Sequence, residues 1–84
     1  MSYTVQLTKK AEKQFKKLAK KQKFKLKEII DTILKVNPFL GKKLHGDLEG
    51  DYSVRLNIKD RILYDINKKD REVYIFAVRS HYGD

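Results

Sequence analysis

Three arginines, a histidine and a tyrosine are the residues of this 84-residue sequence whose types and spacing suit chemistry. Arg55, Arg61 and Arg79 stand in its second half, and His81 and Tyr82 follow the last arginine. A guanidinium is a planar, permanently charged fork that matches phosphate oxygens. An imidazole titrates near neutrality, so it holds or gives up a proton at cellular pH. An aromatic face is the usual platform for an unpaired base. Such a set suits RNA cleavage without a metal. The 2′-hydroxyl attacks the adjacent phosphate, a base takes its proton, an acid protonates the leaving 5′-oxygen, and cations stabilise the phosphorane charge. Each residue also has a plainer role. Arg61 is placed to pair with Asp60 or Asp65, Arg55 and Arg79 to be solvated on a sheet, and Tyr82 to cover a sheet edge.

Composition narrows the partners. Lysine and arginine number 20 against 11 acids, a formal charge of +9. The excess is local, because Lys9 to Lys27 holds ten lysines and one acid, Glu12. A polyanion is the natural partner for such a stretch, and a solvated lysine face is the alternative. The chain has no cysteine, which excludes disulfides and thiolate metal sites and fits the cytosol. No signal peptide and no membrane-spanning run is apparent, so a soluble, cytoplasmic protein is expected. The acids are scattered among turns, which argues against a metal-dependent nuclease. A single domain is expected over residues 1–84, and one this small has little room for an enclosed site.

The elements that must position these residues follow from periodicity. Tyr3, Val5 and Leu7 alternate with polar residues and predict a strand. Thr8 is placed to cap a short helix carrying Ala11, Phe15 and Leu18. The polar stretch Ala19 to Lys23 is expected to turn the chain. Leu26, Ile29, Ile30, Ile33 and Leu34 predict a second helix, stopped at Asn37-Pro38. Phe39 to Asp51 holds three of the four glycines and reads as a loop. Three strands follow, at 51–56, 61–66 and 72–78, joined by short turns and so antiparallel. On the first, Tyr52, Val54 and Leu56 share one face and Ser53 and Arg55 the other. The last, Val73 to Val78, is apolar on both faces and is expected to be interior. The order β-α-α-β-β-β describes an α+β domain, an antiparallel sheet with a helix hairpin packed on one face.

The stretch Gly41-Lys42-Lys43-Leu44-His45-Gly46-Asp47-Leu48-Glu49-Gly50, then Tyr52-Ser53-Val54-Arg55-Leu56, Arg61-Ile62-Leu63-Tyr64 and Ala77-Val78-Arg79-Ser80-His81-Tyr82, resembles the second half of the RelE/ParE toxin superfamily. The final His-Tyr is most similar to the YoeB/Txe branch. The resemblance covers the whole chain in architecture and about half of it in motif. It implies a toxin of a type II toxin–antitoxin system with an antitoxin partner. Ribonuclease members of this group cleave messenger in the ribosomal A site, whereas ParE members poison DNA gyrase.

Carried over on matching positions, the resemblance implies His81 as general acid, Arg61 as the arginine at the phosphate, and Tyr82 as a stacking or phosphate-steadying group. Arg55, Arg79, Lys42 and Lys43 are then expected to bind phosphate. Lys9, Lys13, Lys16, Lys17, Lys20 and Lys21 would contact ribosomal RNA. No metal or other cofactor is expected. The family's loop glutamate has no counterpart near Lys42 and Lys43. A lysine kept neutral by burial, a nearby carboxylate such as Asp47 or Glu49, or His45 could act as base, or His81 could work largely alone. Tyr52, Tyr64, Tyr74 and Phe76 are expected in the core rather than at RNA. A gyrase poison and a non-catalytic RNA-binding module remain the alternative functions.

Overall fold

The computed structural model describes residues 2–46 and 50–80, with Ser80 by its backbone alone. Asp47, Glu49, His81 and Tyr82 therefore lie outside the described residues.

Strand β1 spans Thr4–Leu7 and turns Val5 and Leu7 onto the core. Thr8 ends it and caps helix α1, Lys9–Lys16, through the Ala11 N–H donating to Thr8 Oγ1 at 3.2 Å. Helix α2 runs over Lys20–Ile29 and continues as a wider π-helical turn over Ile30–Leu34. The turn between the helices is thus Lys17 to Ala19, earlier than polarity suggested. Lys20 to Lys23 is polar on every side, but lysine and glutamine are good helix formers and neither glycine nor proline interrupts them. The wide turn is closed by the Lys35 N–H donating to the Ile30 carbonyl at 2.9 Å. The Thr32 hydroxyl donates to the Glu28 carbonyl at 2.7 Å in the turn before, a bond that bends helices.

The segment expected to be an uninterrupted loop holds a one-turn 3-10 helix, Pro38–Leu40, and a short strand β2, Lys42–Lys43. Strands β3 (Tyr52–Arg55), β4 (Asp60–Asn67) and β5 (Glu72–Ser80) complete the sheet. Its order is β1-β5-β4-β3-β2. Three of the four pairings are antiparallel, but β1 lies parallel to β5. The sheet is therefore mixed and five-stranded rather than wholly antiparallel. The helix pair makes the parallel crossover that a direct hairpin cannot.

One sheet face packs on the helices. Leu26, Leu34, Leu56, Ile62, Tyr64, Val73 and Ile75 are fully buried there, with Tyr52 and Val54 packed against them. Tyr64 anchors this layer. Its hydroxyl donates to the Pro38 carbonyl at 2.7 Å, its ring stacks on Tyr52 at 5.9 Å, and burial pushes its ionisation up to about 12. Gly41 is what admits that hydroxyl. A Cβ there would overlap it and stand 2.9 Å from the Ser53 carbonyl oxygen. Tyr74 and Phe76 do not join this core. Phe76 packs with Leu44, Leu63 and Ala77 as a smaller cluster on the opposite face.

Candidate nucleic-acid interface

The open face of the sheet is built by three strands and one irregularity. Residues paired across a sheet share a face, and alternate residues along a strand change face. Arg55 pairs with Arg61, and Arg61 pairs with Arg79. The three arginines thus form one row across β3, β4 and β5. The Arg61-x-x-Tyr64 spacing explains its own usefulness. An odd offset along a strand sends the two side chains to opposite faces, so Tyr64 anchors the core while Arg61 faces away from it.

Arg79 reaches this row because of a bulge. Leu63 pairs with Ala77 but Tyr64 pairs with Ile75, so Phe76 is the extra residue. Strict alternation from Ile75 would have put Arg79 on the core face. The extra residue resets the phase, leaving Val78 to the core and Arg79 to the open side. Beyond Leu7, strand β1 no longer covers β5, and Gln14 of α1 fills the gap by accepting the Val78 N–H at 2.7 Å.

Like charges directly opposite one another destabilise a sheet, so three in a row work against folding. Arg55 is exposed and Arg61 half-buried, and among the described residues no ion pair engages either. Asp60 does not neutralise Arg61. It precedes Arg61 by one residue on the strand, and its carboxylate accepts a hydrogen bond from Asn57 Nδ2 at 2.8 Å. Asp65 lies four residues further along β4 and is engaged by Asp51.

Two further rows run parallel to the arginines on this face. Lys42 pairs with Ser53, Ser53 with Leu63, and Leu63 with Ala77. Lys42 is exposed, whereas Ser53 is buried with its hydroxyl unpartnered among the described residues. Next comes an acidic row. Asp51 stands one step before the Tyr52–Tyr64 pair and therefore opposite Asp65, which pairs with Tyr74. Burial pushes the Asp51 carboxyl up to about 6, helped by the hydrogen bond and the charge of Asp65. The Leu44 N–H donates to the Asp51 carbonyl at 2.8 Å and fixes the pair's outer flank. A hydrogen bond to Glu72 raises the Tyr74 hydroxyl's ionisation as well.

The expected site residues separate into three groups. Arg55, Arg61, Arg79 and Lys42 come together on the open face. Lys43 pairs with Tyr52 and so belongs to the helix-facing side of the sheet edge. Lys42 and Lys43 are both exposed, so neither has the burial that would favour a neutral lysine. His45 is exposed beyond β2. Lys9, Lys13, Lys16, Lys17, Lys20 and Lys21 are exposed on the helix pair, which covers the other face from the arginines. The Asp51–Asp65 pair escaped the sequence reading. Its signal was present, since both acids fall on the polar parity of their strands, but facing them requires the register.

A groove of about 400 Å³ opens on the helix side. Leu7, Phe15, Phe24, Leu26 and Ile30 line it, with Lys20, Lys23 and Lys27 at its margins. Phe24 is 70% exposed, an unusual state for so large an apolar ring. Lys23 Nζ lies 5.9 Å from the Phe15 ring centre.

The fold is similar to those of several solved toxins. The toxin–antitoxin complex RelBE2 from Mycobacterium tuberculosis contains a chain 30% identical to this one, with a TM-score of 0.85, covering 95% of this chain and 99% of that one. The archaeal RelE–RelB complex from Pyrococcus horikoshii contains one 26% identical, with a TM-score of 0.78 and full coverage of both chains. The YoeB–YefM complex from Staphylococcus aureus contains one 26% identical, with a TM-score of 0.78, covering 98% of this chain and all of that one. No curated protein sequence matches the chain. Residues 5–83 match the model of the ParE-like toxin of type II bacterial toxin–antitoxin systems, and the chain belongs to that family.

Proposed function

We propose that this toxin is a cytosolic, ribosome-dependent endoribonuclease that cuts messenger RNA in the A site and is silenced by a cognate antitoxin. The observation that carries the reading is the arginine row. Three guanidiniums are aligned at strand spacing, about 5 Å apart at their backbones, on a face with no helix over it. Such a row suits a phosphate chain and a phosphorane that gathers charge in the transition state. Arg61, at the centre of the row, is the candidate for the scissile phosphate, with Arg55, Arg79 and Lys42 beside it. His81, two residues beyond Arg79 in sequence, takes the role of general acid, and Tyr82 that of base-stacking or phosphate-steadying group. The exposed lysines of α1 and α2 supply sequence-independent grip on ribosomal RNA.

The antitoxin reading draws on the solved relatives, which are toxin–antitoxin complexes. An amphipathic acidic segment matches the groove at Phe15, Phe24 and Ile30, because the lining is apolar and the margins are lysines.

The test is a defined translation reaction with a stalled ribosome, in which messenger ends are mapped by primer extension. New ends inside the A-site codon, lost with Arg61→Ala and with His81→Ala, support the reading. Intact messenger overturns it. The ParE-like family match favours gyrase poisoning as the second reading. A gyrase poison would leave messenger intact and keep its toxicity after His81→Ala.

A further inference from the structure

A phosphate chain on the open face has two routes. It can cross the strands along the arginine row, or it can run lengthwise along β3 and β4. The row is open at both ends. On one side, β1 stops opposite Ile75, four residues short of Arg79. On the other, β2 reaches no further along β3 than the position opposite Ser53, two residues short of Arg55. The lengthwise route is different. From Arg55 it passes Ser53 and meets Asp51, and from Arg61 it passes Leu63 and meets Asp65.

We propose that RNA crosses this face along the Arg55–Arg61–Arg79 row, at right angles to the strands, and that the Asp51–Asp65 pair bars it from running lengthwise. This rests on the reading that the open face binds RNA.

Distances support the division of labour. Four strand residues separate the acidic row from the arginine row, about 13 Å. Screening at physiological salt acts over about 8 Å. A phosphate over the arginines is thus shielded from the carboxylates, whereas one displaced over Ser53 or Leu63, about 7 Å away, is repelled. Leu44, Leu63, Ala77 and Phe76 add a raised apolar ridge between the two rows, with no cation but Lys42 at its margin. Beyond the pair, Glu72 continues the acidic side, its carboxylate accepting a hydrogen bond from Gln6 Nε2 at 3.1 Å. The face is therefore bipolar along the strands and uniform in charge across them.

The experiment is a backbone amide NMR titration of the whole protein with a short 2′-O-methyl oligouridylate, which cannot be cleaved. Shifts should concentrate at Arg55, Arg61 and Arg79 and spare Asp51, Asp65 and Tyr74. In Asp51→Asn/Asp65→Asn the shifts should spread along β3 and β4, and affinity should rise about threefold. The single variant Asp65→Asn should move both readouts the same way by less. Shifts at the acidic row of the unaltered protein equal to those at the arginines overturn this inference alone. So does a double variant whose map and affinity are unchanged. An absence of shifts at the arginines overturns the RNA-face reading and this inference with it.

Discussion

Gly41 and Tyr64 should be coupled so strongly that each substitution changes the meaning of the other. A Cβ at position 41 would occupy the space of the Tyr64 hydroxyl, and 2.9 Å away it would meet the Ser53 carbonyl oxygen. Gly41→Ala therefore forces the ring out of a fully packed site, an overpacking that costs about 2–3 kcal/mol. Tyr64→Phe removes the donor to the Pro38 carbonyl, which is buried and then has no partner, for about 1–3 kcal/mol. The clash in the first variant is with the group deleted in the second. Combined, they leave the Cβ 3.0 Å from the ring carbon Cζ, a contact the neighbours can absorb by a small shift. The double variant should be destabilised by about 1–2 kcal/mol less than the sum of the two. In a domain of this size each kcal/mol moves the melting temperature by about 4–8 °C, so the coupling is readily measured by thermal or urea unfolding. Additivity within about 0.5 kcal/mol would refute the reasoning and show that Gly41 is required for something other than room for the hydroxyl.

Protonation of the acidic pair should tune stability. Asp51 titrates near 6 in the folded chain and near 3.8 when exposed, so its protonated form favours folding. Its contribution is present in full below about pH 4 and is lost as pH rises through about 6. Melting curves should show that loss in the parent and not in Asp51→Asn, and parallel profiles would remove the claim. Arg61→Gln should relieve repulsion in the arginine row and raise stability by about 0.2–1 kcal/mol while weakening binding to RNA, checked by urea unfolding and an RNA-binding assay. A loss of stability instead would show that Arg61 has a structural partner. Gln14→Ala leaves the Val78 N–H without its acceptor and should cost about 1–3 kcal/mol, seen equally as faster amide exchange at Val78. Phe24→Glu should abolish neutralisation by the antitoxin while leaving toxicity intact, since the groove and the arginine row lie on opposite sides of the sheet. Retained neutralisation would move the antitoxin's grip elsewhere.

Local patterns were legible in the sequence and long-range ones were not. Alternation assigned Tyr52, Val54 and Leu56 to the core and Ser53 and Arg55 to the other face, and Thr8 marked the start of α1. The offsets of Arg55, Arg61 and Arg79 allowed a shared surface without requiring one. Whether they meet depends on register, and register depends on the extra residue at Phe76, which nothing in an apolar run announces. Strand β2 is two lysines long and has no periodicity to detect. The parallel direction of β1 depends on where the helix pair returns the chain. The same run of apolar residues that identified β5 as interior hid the change of phase that assigns Phe76 to the open face.

The parallel pairing of β1 with β5 also orders events in time. Thr4 pairs with Glu72, so the first strand to leave the ribosome waits for the last one before it has a neighbour. Contacts between such distant segments are late and slow to form. Until β5 arrives, β4 lacks one flank and the arginine row lacks Arg79. The partly made chain is thus a lysine-rich helix pair and a hairpin without the assembled face. The feature that closes the sheet delays the appearance of a harmful surface until its maker has nearly finished.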